Sequence, residues 1–251
     1  MLIIRKEQMD VFEAEAVRSF EARVAEHLKK KFPKHCEAMG DEALTKVVES
    51  GRERAATYGL QGERSVRLYL ELMLMLGSGF DQDPQLPWAA AALWNRELGD
   101  ESARIDALYR QVGEFAIRTA GPNNEYLNRT LSALPEERPE GYVGSGASNF
   151  EDYMLHRLTM LYPEKVEAVG REPLRVLIRR GVAGARRTGL TTEPGVILYV
   201  CLMFFLGAGF DGDPQFKWAA DILNDKTLEE PDKKAARLRE AATAFLKRFL
   251  A

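Results

Sequence analysis

Displaced by 130 residues, the chain matches itself without a gap. Phe20-Glu21 falls on Phe150-Glu151, Leu28 on Leu158 and Pro33 on Pro163. Gly40 falls on Gly170, Gly51 on Gly181, and Gly59-Leu60 on Gly189-Leu190. The densest stretch aligns Glu63 to Leu93 with Glu193 to Leu223, where 18 of 31 positions are identical. Its clearest words are LGSGFDQDPQLPWAA and LGAGFDGDPQFKWAA. A fixed offset of this kind is the mark of a repeated structural unit. The chain therefore reads as a tandem duplication, with copies over roughly 20–116 and 150–246. Domain 1–119 holds the first copy with an N-terminal extension, 120–148 connects, and 149–251 holds the second.

The pattern inside each copy is helical. In the first segment, about 8–32, Phe12, Ala16, Phe20, Val24 and Leu28 recur every fourth residue, which keeps one stripe on one face until Pro33 stops the helix. The second, about 41–58, places Leu44, Val47, Val48, Gly51 and Ala55 at the spacing of a buried face, and Leu174, Leu177, Ile178, Gly181 and Ala185 repeat it. A glycine inside a helix costs about 1 kcal/mol against alanine, so its presence in both copies predicts close crossing by another helix. The third segment, 63–77 and 193–207, is apolar nearly all round and predicts an enclosed central helix ended by Gly77 or Gly207. A fourth starts at Pro84 or Pro214, and a fifth covers about 100–119 and 231–249 with Ile105, Leu108, Val112 and Phe115 inward. No run alternates with period two. The expected class is all-α, two roughly five-helix units related by a pseudo-two-fold. Within the connection, 123–134 predicts a short helix and 135–148, rich in Pro, Gly and Ser, a mobile tether.

The uncharged run Gly195–Phe210 is too short to span a bilayer, and its counterpart carries Arg67 and Glu71, so a core helix is expected and no membrane partner. Residues 1–16 lack the apolar core of a signal peptide. A cytoplasmic protein is expected, with Cys36 and Cys201 reduced and Cys201 a small core side chain. The net charge is −3, and residues 120–251 hold 18 basic and 18 acidic side chains, which leaves no bulk positive field for nucleic acid.

Four carboxylates stand out: Asp81 and Asp83, Asp211 and Asp213, in two Asp-x-Asp-Pro words. Two carboxylates so spaced suit a hard cation, but a calcium loop also needs further oxygen ligands and a closing Glu that do not follow. The better reading is structural. Asp83 and Asp213 are helix caps before Pro at the first helical position, and Asp81 bonds backbone amides in the turn after Gly79. Tyr69 with Tyr199, and Glu63 with Glu193, recur as a buried hydroxyl needing a partner and a charge at a helix start. His27, His35 and Cys36 cluster near Pro33, but Arg157, Lys165 and Val166 replace them in the second copy, a poor match to a zinc site. No metal and no cofactor is expected. Nor is there a nucleophile elbow or a phosphate-binding glycine loop. Arg175, Arg179, Arg186 and Arg187, with Arg180, fall along one side of a helix as a candidate partner-binding face, more simply read as a solvated one. Lys29 to Lys31 with Lys34 make a second basic cluster.

The words IIRKEQM, YLELMLMLGSGFDQDPQLPWA and YVCLMFFLGAGFDGDPQFKWAADILND resemble a group of bacterial all-helical proteins encoded beside type VI secretion spike and effector genes. That group has a long first helix, a Phe-Pro stop, a Tyr-rich central helix and the Gly-Phe-Asp-x-Asp-Pro turn, in one unit where this chain has two. The resemblance brings no catalytic residues. It implies a cytosolic accessory protein: a non-enzymatic protein-binding module, adaptor or chaperone of a secreted effector, whose partner is that effector or a spike component. The alternatives are a cytosolic immunity protein neutralising a toxin, and a metal-binding or enzymatic role at the Asp-x-Asp-Pro turns.

Overall fold

The computed structural model describes residues 6–133 and 147–250. Within them every regular element is helical. In chain order these are α1 (Lys6–Lys31), α2 (Pro33–Met39), α3 (Asp41–Thr57), α4 (Glu63–Leu76), α5 (Pro87–Trp94), α6 (Glu101–Ala120), α7 (Glu125–Ala133), α8 (Phe150–Leu161), α9 (Pro163–Val169), α10 (Arg171–Arg187), α11 (Glu193–Leu206), α12 (Lys217–Leu223) and α13 (Pro231–Leu250). Short 3-10 turns at Phe80–Gln82 and Pro214–Phe216 follow α4 and precede α12.

Two expected boundaries are corrected. Pro33 and Pro163 do not simply stop a helix. Each occupies the first turn of a new one, α2 or α9, where a missing N–H is harmless. Each half of the chain therefore has six α-helices where five were expected. The fourth helix does not start at Pro84 or Pro214 but three residues on, at Pro87 and Lys217, because the Asp-Pro-Gln segment makes its own tight turn first.

Two clusters of buried side chains lie side by side. One is drawn from positions 24–112, around Leu44, Val47, Tyr69, Leu70, Leu72 and Leu108. The other is drawn from 153–245, around Leu158, Leu177, Val200, Phe204 and Leu238. Full burial of each such side chain contributes about 1.5–3 kcal/mol. α4 and α11 are the enclosed helices: α11 buries nine residues from Gly195 to Phe204, Cys201 among them. Among the described residues no helix is long and apolar enough to cross a membrane. α3 crosses α4 at Gly51, where a Cβ would meet Leu70 Cδ2 at 2.3 Å and Met73 Sδ at 2.6 Å. α10 crosses α11 at Gly181, where it would meet Val200 Cγ2 at 2.7 Å and Met203 Sδ at 3.0 Å. The helices approach this closely only because glycine has no side chain.

The halves pack on each other. α6 touches α9, α13 touches α2 and α7, and α3 touches the 214–216 turn. Tyr162 donates to the Thr119 carbonyl at 2.8 Å across this boundary. α7, inside the segment read as a connection, buries Thr130 and Leu131, and Tyr126 and Leu127 pack against the second core. The Pro- and Gly-rich tether expected over 135–148 lies almost wholly outside the described residues.

Candidate functional site

The two Gly-Phe-Asp-x-Asp-Pro turns meet face to face. α4 and α11 end at Gly77 (φ 93°, ψ 149°) and Gly207 (φ 101°, ψ 153°). This is an extended conformation at positive φ, open essentially to glycine alone, and not the left-handed cap expected. A Cβ on Gly77 would stand 2.8 Å from the Leu206 carbonyl oxygen, and one on Gly207 would stand 3.1 Å from that of Leu76.

Each turn then supplies the acceptor the other lacks. Asp213 Oδ2 accepts from the Ser78 backbone N–H and its Oδ1 from the Ser78 hydroxyl, both at 2.7 Å. Reciprocally, Asp83 Oδ2 accepts from the Ala208 N–H at 2.7 Å. The remaining capacity is used locally, from the Gln85 N–H at 2.8 Å and the Gln215 N–H at 2.9 Å. The glutamine amides cross as well: Gln85 Nε2 donates to Met203 O at 3.2 Å and Gln215 Nε2 to Met73 O at 2.9 Å. Asp83 and Asp213 do cap, as expected, but they cap short turns, and their outer oxygens join the halves.

Asp81 and Asp211 stand one step outside this joint. Asp81, 3% exposed, receives side chains and not the expected turn amides. Tyr58 donates at 2.6 Å, Tyr69 at 3.1 Å and Arg54 Nε at 2.8 Å to Oδ2, with Arg54 Nη2 2.6 Å from Oδ1. A local amide is not needed because α3 and α4 bring three stronger donors to the same point. Burial and the neighbouring carboxylate push both tyrosine hydroxyls well above their ordinary range. Asp211 accepts from Tyr199 at 2.6 Å. All four carboxylates thus face donors, and a cation would have to expel them. Among the described residues no group of three or more His, Cys, Asp or Glu is placed to hold a metal ion.

Sequence reasoning passed over two buried charges. Arg104 in α6, 1% exposed, donates Nη1 to the carbonyls of Tyr58 (2.9 Å) and Leu93. Lys234 in α13 donates to Thr188 O and Leu223 O, both at 3.1 Å. Each cation closes the C-terminal ends of two helices, where carbonyls lack intrahelical donors. Burial pulls the Arg104 guanidinium below its ordinary value. Glu71, 2% exposed, is held by His27 at 2.6 Å, by Tyr109 at 2.8 Å and by Lys31. Burial alone would raise this carboxyl, but the three donors outweigh it and hold it below the usual range. A lone Glu in an apolar helix was the available signal for it.

The other sequence candidates are dispersed. His27 binds Glu71, His35 binds Gln215 at 2.8 Å, and Cys36 is buried with its thiol pushed up by burial, so the three do not converge. Glu63 pairs with Arg23 at 2.6 Å. On the basic face, Arg175 pairs with Glu151 and Asp152 at 2.6 and 2.8 Å, and Arg179 with Glu151 at 3.0 Å. α8 therefore neutralises half of it, while Arg186 and Arg187 lie exposed in the last turn of α10. The lysine cluster is likewise engaged: Lys29 pairs with Asp41 at 2.8 Å and Lys31 with Glu71.

One surface carries apolar side chains without cover. α1 buries Val24 and Leu28 at 2% and 0% exposure, yet along the same helix Phe12 is 60% and Val11 61% exposed. From Met9 to Ser19 every described residue but Val17 is exposed. The stripe that packs α1 onto the first core continues outward past the body that covers it. No family model, no curated protein and no solved structure matches the chain.

Proposed function

We propose that the chain is two copies of one helical unit and that it works as a non-enzymatic protein-binding module, a cytoplasmic adaptor or chaperone of a type VI secreted effector. Equal helix lengths support the duplication: α3 and α10 have 17 residues each, α4 and α11 have 14. So do the reciprocal bonds of the two turns, whose participants stand 130 positions apart.

The observation that carries the binding role is the outer part of α1. An isolated helix of three turns is marginal in water, and most helical stability in proteins comes from packing an apolar face. Met9, Phe12 and Ala16 extend the stripe of Phe20, Val24 and Leu28 into solvent, where it offers a helix or groove of another protein the i, i+4 anchors such recognition uses. The acidic side chains beside the stripe, Asp10 and Glu15 among them, favour a basic rim on that partner.

The test is co-expression with the effector encoded beside this chain. The wild type is expected to co-purify with it in a defined stoichiometry, and Phe12→Glu to fold normally but lose the complex. Undiminished binding by Phe12→Glu together with Met9→Glu would overturn the assignment of this face. Protection of cells from the toxin with no effect on its secretion would replace adaptor by immunity protein.

A further inference from the structure

The two Asp-Pro-Gln turns differ at one point. Gln215 Oε1 lies 2.8 Å from His35 Nε2. Gln85 holds the same place after Asp83 and Pro84, and it is 3% exposed, yet its Oε1 has no hydrogen-bond partner. The residue that stands third in α9, as His35 stands third in α2, is Lys165. Its ammonium turns away from Gln85 and donates to the Phe204 carbonyl, 4.7 Å above the Phe204 ring.

Lys165 and Gln85 line one cavity of about 310 Å³ between the halves. Most of the remaining wall is apolar, with Leu74, Val112, Phe115 and Leu131 from the first half and connecting helix, and Phe205 and Leu246 from the second. Close-packed interiors leave few voids larger than a water molecule, and this volume matches the small end of ligand pockets. Burial draws the Lys165 amine down to about 8, as a site shielded from bulk water does. A water at the polar end would find partners, but an apolar wall offers it none further in.

We propose that this cavity binds a small, largely apolar molecule with one neutral head that both donates and accepts, a primary alcohol or primary amide. The head accepts from Lys165 Nζ and donates to Gln85 Oε1, and the tail lies among Phe115, Leu131 and Phe205. A carboxylate head fits less well, because it has no proton for Gln85 and Asp83 lines the same cavity.

The probes are octan-1-ol and octanamide, with octanoate and n-octane as comparisons, titrated into the full chain and followed by ligand-observed NMR and thermal unfolding. The alcohol and amide are expected to bind saturably, one per chain, and about tenfold more tightly than octane or octanoate. Lys165→Met should erase that preference while leaving octane binding in place. Ala116→Phe, which fills the cavity from α6, should abolish binding of every probe. No saturable binding at any soluble concentration would mean that water alone occupies the polar end and would overturn the proposal. So would probe binding unchanged by Lys165→Met, or a preference for octanoate.

Discussion

The contact between Gly77 and Gly207 makes a graded prediction. Replacing Gly77 with alanine meets two separate costs. Its backbone, φ 93° and ψ 149°, is strained for any L-residue, which costs about 1–3 kcal/mol. The added Cβ would also stand 2.8 Å from the Leu206 carbonyl oxygen, a fixed backbone atom of the other half, and relieving such a clash costs about 1–3 kcal/mol more. The expected loss is about 4 kcal/mol, or roughly 8–16 °C in Tm for a chain of this size. Two controls separate the contributions. Gly40 has a similar backbone, φ 81° and ψ 164°, with nothing within 4 Å of the added atom, so Gly40→Ala should show the backbone strain alone. Gly79, at φ −100° and also in open space, should tolerate alanine within about 0.5 kcal/mol. Denaturant unfolding of the three variants should rank them Gly77, Gly40, Gly79 in falling cost. Gly207→Ala should approach Gly77→Ala, and the double variant should cost less than their sum, since one opened joint relieves both. Equal losses for Gly77→Ala and Gly40→Ala would refute the close approach.

Asp213→Ala should lower stability by about 3 kcal/mol or more, because it leaves the Ser78 and Gln215 donors buried without an acceptor, and calcium or magnesium should not shift the wild-type Tm; a cation-dependent rise lost in the variant would restore the metal reading. Arg104→Met should cost about 2–4 kcal/mol in urea unfolding by orphaning the Tyr58 and Leu93 carbonyls, whereas Arg104→Lys, which imitates Lys234, should cost less than half of that. Burial holds the His35 imidazole below its ordinary value near 6.5, so the unfolded chain takes up the proton first. Stability should therefore fall as pH drops below about 6.5, and His35→Gln should flatten that slope; an equal slope in the variant would exclude His35 as its source.

The helices and their inward faces were legible in the sequence because periodicity reports which side of a helix is buried. Gly51 and Gly181 announced their crossing for the same reason: a costly residue repeated on a buried stripe needs a close neighbour. α2 and α9, seven residues each, are too short for periodicity to register, and Pro33 and Pro163 read as stops when they are starts. The joint was hidden for a different reason. Asp83 and Asp213 satisfy a local capping rule through the amide two residues on, and nothing in local sequence says that the other oxygen finds Ala208 or Ser78, 125 and 135 residues away. Arg104 and Lys234 were visible as a cation kept at the same place in both copies, but lay among the many charges of α6 and α13 and carried no apolar signature.

The central structural claim is that the two turns bind each other through exchanged carboxylates. Hydrogen exchange at two amides reads it directly. The Ser78 and Ala208 N–H groups belong to turns, yet each donates to a buried carboxylate of the opposite half, so both should exchange as slowly as amides in the middle of α4 and α11. Asp213→Ala should release Ser78, and Asp83→Ala should release Ala208. Exchange of either amide in the wild type at the rate of an open loop would contradict the joint.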